Sequence, residues 1–174
     1  MGCSSGTGTR VNSEVDGKVV TTYDDPENGI RVTYPGDWDE INFMKPKGTV
    51  LLLAPPNKSG GFPPAVGVVA PRPESVVTSN DLDGMETRTI EKARSDVGDF
   101  TLIQTSETTV AGEPARKVVY SGKKLGQAIQ VMYVITTHGG RAYAFSYMAS
   151  PSGFEDNLGA VDRFIGSVQF ADRK

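Results

Sequence analysis

The chain has 174 residues, one cysteine and a net charge of −3 at neutral pH. It has the length of one domain, which buries roughly 70% of its unfolded-chain surface and needs no disulfide or structural metal to fold. The small negative charge argues against nucleic-acid binding, and no apolar run approaches the roughly 20 residues that a membrane-spanning helix needs.

The N-terminal residues are small and polar. Residues 2–17 include almost no side chain that a core would bury. We therefore predict a disordered tether over residues 1–17, of the kind that follows a lipoprotein anchor, and a single folded domain over residues 18–174. The only cysteine of the chain, Cys3, lies in this tether.

Three interpretations of Cys3 are compatible with the sequence. In the first, Cys3 is the lipidated first residue of a mature bacterial or archaeal lipoprotein, and Met1 is a start codon in place of the removed signal peptide. In the second, Gly2 carries myristate and Cys3 palmitate, although the myristoylation motif requires Ser or Thr at position 6, which is Gly6 here. In the third, Cys3 is an accidental thiol. We expect a lipid anchor at Cys3, because it explains both the lone cysteine and the polar tether.

Strand-forming residues begin at Lys18. β-Branched and aromatic residues over 18–23 and 30–34 flank a turn over 25–29 that contains Pro and Asn-Gly, so they predict a β-hairpin. Trp38 follows directly and is predicted to be a core residue at the corner of the sheet. Further extended segments are predicted over 38–44, 50–54 and 65–70, the second of them buried on both faces.

The loop over residues 55–64, PPNKSGGFPP, places Phe62 between glycines and prolines. Two interpretations are open. At an exposed loop tip, Phe62 would contact a partner or the lipid headgroup layer. Folded back, it would cover the sheet. Phe62 is therefore a candidate partner contact.

Helical spacing of apolar residues predicts a helix over 81–97, with Ser79, Asn80 or Asp81 as its N-cap. Alternation then predicts strands over 101–110, 115–121, 127–137 and 141–148. A second helix is predicted by one apolar stripe, with Ser152 as its cap; the stripe consists of Phe154, Leu158, Val161, Ile165 and Val168. An antiparallel meander with one inserted helix and one closing helix predicts an α+β sandwich.

No residue pattern predicts a catalytic, cofactor or metal site. His138 is the only histidine and adjoins a predicted turn, where we expect a solvated side chain rather than a catalytic base. A single histidine without partner spacing is a poor metal site. Residues 80–84 match only part of a calcium loop, since the glutamate at its end is missing. We therefore expect neither catalysis, nor a cofactor, nor a bound metal.

Charge is unevenly distributed along the chain. Residues 23–40 carry six acidic residues against Arg31 alone, whereas residues 115–141 carry five basic residues and no acidic one. One interpretation is a polar surface that steers a protein partner. The other, which we favour, is two solvated edges of a sheet, whose charges could also pair with each other.

Three stretches carry a family resemblance. Residues 23–38, with the sequence Tyr-Pro-Gly-Asp-Trp at their end, resemble the opening of the PsbP-like family. Residues 110–120 resemble its Gly-x-x-Ala strand. Residues 140–147, followed by Phe154 and a helix that ends in 165–170, resemble its Gly-Arg-x-Tyr strand and closing helix.

The resemblance covers about residues 20–170 and implies an α/β/α sandwich around a central antiparallel β-sheet. It also implies a non-enzymatic protein, since relatives include the extrinsic photosystem II subunit, its cyanobacterial lipoprotein cousin and bacterial envelope lipoproteins. The photosynthetic members use histidines and acidic residues for ions, but no such residue is carried over to this chain. The N-terminal position of Cys3 is consistent with the lipid-anchored members of the family.

We therefore expect a lipid-anchored, extracytoplasmic monomer that binds or helps to assemble a membrane protein complex. Its expected location is the outer face of the cytoplasmic membrane, or the lumenal side of a thylakoid membrane. The alternative is a small-ligand carrier with a pocket between sheet and helix. An enzyme of the hydrolase type would need a cluster of titratable groups with perturbed pKa values.

Overall fold

The computed structural model describes residues 8–43, 45–70 and 81–171, which form eleven strands and two helices. In chain order these are β1 (Thr9–Val15), β2 (Lys18–Asp25), β3 (Ile30–Pro35), β4 (Asp39–Glu40), β5 (Thr49–Ala54), β6 (Ala65–Val69), α1 (Leu82–Asp96), β7 (Gly98–Val110), β8 (Glu113–Lys124), β9 (Gln127–His138), β10 (Arg141–Ala149), α2 (Phe154–Gly166) and β11 (Gln169–Phe170). Neither helix is long and apolar enough to cross a membrane, within the ranges just given.

The strands form two antiparallel sheets. The small sheet has the order β1-β2-β3-β11, and the large sheet has the order β4-β5-β6-β10-β9-β8-β7. The main core lies between one face of the large sheet and a layer made of the small sheet and α2. Helix α1 covers the opposite face of the large sheet. The predicted α+β sandwich is thus confirmed, with a second sheet sharing the layer of α2.

Strand β9 shows why the large sheet needs a cover on both faces. Met132 and Val134 belong to the main core, whereas Ile129 and Val131 belong to the cluster under α1. Successive side chains of a strand point to opposite faces, so a strand that is apolar throughout must be buried on both. Ile129, Val131, Tyr133 and Ile135 share the face toward α1.

The N-terminal boundary differs from the predicted one. Thr9–Val15 is a strand rather than part of a disordered tether, and it pairs along its whole length with β2, from Thr9 opposite Asp24 to Val15 opposite Lys18. Every residue of β1 is exposed, so hydrophobic patterning gives no sign of it. Its stabilisation comes from the backbone ladder and from a tight turn at Asp16-Gly17, where both φ angles are positive. Cys3 lies outside the described residues.

The N-cap of α1 is Asp81, one of the three predicted candidates, whereas the predicted cap of α2 is not the one that forms. The carboxylate of Asp81 makes no capping hydrogen bond, because it pairs with Arg88 at 2.7 Å; Ser79 and Asn80 lie outside the described residues. Before α2, the N-cap residue is Gly153 rather than Ser152, and the Gly153 amide donates to Ser150 Oγ at 3.2 Å.

Trp38 is buried, and its ring packs against Phe164 of α2 at a centroid distance of 6.1 Å. This confirms the predicted core position at the corner of the sheet. The extended segment predicted after it is shorter than expected, because only Asp39–Glu40 pairs as a strand, and Phe43 is 72% exposed. Met44 lies outside the described residues.

Candidate functional site

A cleft of about 260 Å³ lies between α1 and the large sheet. The sheet supplies Tyr120 and Tyr133, the helix supplies Lys92 and Asp96, and the loop before β5 supplies Lys47 at the rim. The cleft exists because α1 runs across β7, β8 and β9, which leaves the sheet surface near β5 and β6 uncovered.

The two tyrosines give the cleft its chemistry. Their rings are stacked with a centroid distance of 6.4 Å and an interplanar angle of 15°. Burial raises the pKa of both phenols, so both are neutral at neutral pH. In the part of the chain that the structure describes, neither hydroxyl has a hydrogen-bond partner, and both residues line the cleft.

The rim of the cleft is charged. Lys92 Nζ lies 2.7 Å from Asp96 Oδ2 one helical turn away, and this hydrogen bond raises the pKa of Lys92. Lys47 adds a second cation at the same rim. The arrangement combines an apolar floor, two neutral hydroxyls and a net positive rim, which suits a small amphipathic ligand with an anionic group.

His138 lies at the end of β9, where we predicted a solvated turn residue. Instead, its Nδ1 atom lies 2.8 Å from Glu113 Oε1, and its ring stacks on Phe170 at a centroid distance of 4.8 Å. The prediction of a solvated side chain is therefore wrong, because β11 places an aromatic ring over this corner. Among residues 8–43, 45–70 and 81–171, no three His, Cys, Asp or Glu side chains come together as a metal site.

Phe62 is partly buried and packs against the apolar cluster under α1, which includes Ala93 and Tyr120. The loop over residues 55–64 therefore folds back over the sheet, which is the second of its two interpretations. The side chain contributes to this chain's own core, and the surface that it leaves for a partner is small.

Two residues of the basic stretch, Arg116 and Lys123, pair with acids from neighbouring elements rather than with residues 23–40. Arg116 lies within 2.7 to 3.6 Å of Asp83, Glu86 and Glu107, which come from α1 and β7. Lys123 pairs with Asp99 at 2.8 Å. Between the two charged stretches, Arg141 donates a 2.9 Å hydrogen bond to the backbone carbonyl of Glu27.

Strand β7 forms one edge of the large sheet and has no strand on its outer side in the described structure. Its pairing with β8 slips between Leu102 and Gln104, so two successive apolar residues, Leu102 and Ile103, are 42% and 52% exposed. A long edge strand offers free backbone donors and acceptors, and these apolar side chains flank them. Sequence alternation alone does not reveal this surface, because it depends on the irregular register.

Comparison with known proteins gives one family and several structures. The model of the PsbP-like protein family matches residues 6–170. The fold is similar to that of the cyanobacterial PsbP, CyanoP, from Synechocystis sp. PCC 6803, with a TM-score of 0.58 and 14% identity over 87% of this chain and 92% of that one.

Two other solved structures have a similar fold. LpqN, which is involved in cell envelope biogenesis of Mycobacterium tuberculosis, has a TM-score of 0.57 and 11% identity over 95% of this chain and 92% of that one. PA94, a protein of unknown function from Pseudomonas aeruginosa, has a TM-score of 0.59 and 10% identity over 96% and 99% of the two chains. No curated protein matches the sequence significantly.

Proposed function

The chain belongs to the PsbP-like protein family, and from that membership we propose that it is a non-enzymatic, extracytoplasmic protein that binds or helps to assemble a membrane protein complex. In this proposal a lipid on Cys3 holds a monomeric domain at the outer face of the cytoplasmic membrane, or at the lumenal side of a thylakoid membrane. The observation that carries it is the family match over residues 6–170. The fold shared with LpqN, a protein of cell envelope biogenesis, supports the location.

The outer edge of β7 is the surface that we propose for the partner. An extended segment of a membrane protein can add itself to an edge strand through backbone hydrogen bonds, while pockets or side chains give specificity. Leu102 and Ile103 would bury their exposed apolar surface in such a contact. Two charged side chains of β8, Arg116 and Lys123, are already paired within the domain.

The test is affinity capture of the native protein from gently solubilised membranes, with mass spectrometry of both the captured proteins and the Cys3 peptide. We expect a lipid mass on Cys3 and one partner in stoichiometric amount. Ile103→Asp should lose the partner, whereas Val15→Asp, an equally exposed apolar residue in the small sheet, should retain it. An unmodified Cys3 with nothing captured would overturn both the anchor and the docking role.

A small-ligand carrier is the second candidate function, and the cleft under α1 favours it. Its two phenol hydroxyls and its cationic rim match an amphipathic anion. Binding of anilinonaphthalene sulfonate, followed by its fluorescence, probes this chemistry. We expect Tyr133→Phe and Lys47→Gln each to weaken binding by roughly three- to tenfold, as the loss of one hydrogen bond or charge contact predicts. Lys58→Gln, outside the cleft, should leave the affinity unchanged; equal affinities for all variants would exclude this role.

A further inference from the structure

The start of β1 lies beside the loop between β4 and β5, of which residues 41–43 and 45–48 are described. Arg10 of β1 makes a bidentate ion pair with Glu40, with contacts of 2.5 and 2.8 Å, and the same guanidinium donates to the carbonyl oxygen of Gly8. Lys45 Nζ lies 3.7 Å from Glu40 on the other side. These contacts fix one end of the loop next to Gly8, which is the first residue that the structure describes.

A second set of contacts joins the same two regions. Gly8 lies against the ring of Tyr23 so closely that a Cβ atom on Gly8 would overlap it. The Tyr23 hydroxyl in turn lies 3.4 Å from the carbonyl oxygen of Val50, the second residue of β5. Because the loop between β4 and β5 ends where β5 begins, Gly8 lies directly beside this loop.

Phe43 is the most exposed aromatic residue of the described structure. It belongs to neither the main core nor the clusters under α1. Transfer of a phenylalanine side chain out of water is favourable by about 1.5–3 kcal/mol. Burial of Phe43 against another surface would therefore be stabilising. Lys45 and Lys47 follow Phe43 in the sequence. The stems of lysine side chains can lie along a membrane surface with their charges in the headgroup layer.

We propose that this loop contacts the bilayer itself, with Phe43 inserted among the lipid headgroups. The proposal rests on the lipid at Cys3 that the proposed function includes. Five residue steps separate Cys3 from Gly8, and a fully extended chain spans at most about 3.6 Å per residue, so Gly8 lies within about 18 Å of the anchored cysteine. A domain held this closely presents the surface around Gly8, and therefore Phe43, to the membrane.

The charges around the loop indicate that the contact is apolar rather than electrostatic. Three acidic residues, Asp37, Asp39 and Glu40, are balanced by three basic ones, Arg10, Lys45 and Lys47. A neutral surface gains little from anionic lipids, whereas a polybasic one gains about 1 kcal/mol for each cation. The insertion of Phe43 should therefore depend only weakly on salt and on lipid charge.

Because Cys3 is the only cysteine, it can be coupled to a maleimide lipid in preformed vesicles without touching another site. The full chain carrying Phe43→Trp is anchored in this way to phosphatidylcholine vesicles, with and without phosphatidylglycerol, and quenching by lipids brominated on their acyl chains is measured. The matched control is Ile103→Trp. It is similarly exposed, but it lies on the opposite edge of the large sheet, about 29 Å away at about 4.8 Å per strand. The buried Trp38 of the otherwise unchanged chain gives the background.

We expect brominated lipids to quench the Phe43→Trp variant at least about threefold more than the Ile103→Trp variant, in both vesicle types, as an interfacial side chain requires. Equal quenching of the two variants, or none at either, would overturn the proposal. The chemical anchor makes this result independent of the native modification. Mass spectrometry of the Cys3 peptide detects a failure of lipidation in the cell. Quenching in the vesicles detects a failure of loop insertion.

Discussion

Tyr23 Oη donates a 2.9 Å hydrogen bond to the carboxylate of Asp25, and both residues are fully buried. The same carboxylate accepts hydrogen bonds from the backbone amide and the side-chain amide of Asn28, at 3.1 and 2.7 Å. It therefore holds the turn between β2 and β3 against the core. One member of the acidic stretch over residues 23–40 is thus structural rather than part of a surface.

Replacement of Asp25 by Ala should lower the free energy of unfolding by about 2–4 kcal/mol, because it leaves the Tyr23 hydroxyl and the Asn28 amides without their acceptor in a buried site. Urea unfolding measures the change. Asp39→Ala, which removes an exposed carboxylate from the same acidic stretch, should change stability by less than about 0.5 kcal/mol. Equal effects of the two substitutions would contradict this role of Asp25.

Phe164 of α2 covers Trp38, and its removal should be costly. Phe164→Ala should destabilise the protein by about 3–5 kcal/mol, because it opens a cavity in the main core. The fluorescence of Trp38, the only tryptophan, should shift to longer wavelength as water approaches its ring. Phe43→Ala serves as the control and should alter neither signal, since Phe43 is largely exposed. An unchanged emission spectrum in Phe164→Ala would show that the two rings do not shield each other.

Two glycines should respond to alanine in opposite directions. At Gly122 a Cβ atom would lie 2.6 Å from a Val97 methyl group and 2.8 Å from the backbone oxygen of Gly98, so Gly122→Ala should cost about 1–3 kcal/mol. At Gly166, the last residue of α2, a Cβ meets nothing within 4 Å. Gly166→Ala should stabilise the protein by about 0.4–1 kcal/mol, because it restricts the unfolded chain. Thermal unfolding of both variants tests the opposite signs.

The six tyrosines make stability fall in alkaline solution. Burial is the first cause of a raised pKa at each of them, and it raises the pKa of Tyr147 to about 12. An unfolded tyrosine ionises near pH 10, so the unfolded state releases protons before the folded state does. The stabilisation from these neutral phenols is therefore complete below about pH 10 and is lost as the pH rises toward and beyond 12.

A spectrophotometric titration checks this directly. Folded protein should show little phenolate absorbance at about pH 10.5, whereas protein in concentrated urea should show more than half of its tyrosines ionised, given a usual pKa near 10. Native protein that titrates like the urea-unfolded chain would contradict the burial of these side chains.

Much of the fold could be predicted from local patterns, because burial on one or two faces leaves a periodic trace. The strands of the large sheet and both helices follow from it. Strand β1 could not be predicted this way, since its residues are all exposed and a backbone ladder leaves no hydrophobic signal. Assignment of strands to two sheets also depends on distant pairings such as Ala65 with Met148.

The site residues divide in the same way. The pair Glu113 and His138 could have been predicted from the sequence. The two-residue turn at Leu125-Gly126 places Lys124 opposite Gln127. The same register, continued along the hairpin, places Glu113 opposite His138. The cleft could not have been predicted from the sequence, because its position depends on where α1 crosses the sheet. The sequence therefore predicted a pocket between sheet and helix without indicating Tyr120 or Tyr133.

The pairing of β6 with β10 at the centre of the large sheet also affects the order in which the protein can fold. Residues 65–69 must wait for residues 144–148, so the apolar strands β5 and β6 lack their central neighbour until most of the chain has been synthesised. Such distant pairing slows folding, since a long loop must close before the contact is gained. If the chain reaches the proposed location by export in the unfolded state, this delay keeps the polypeptide unfolded until it has crossed the membrane.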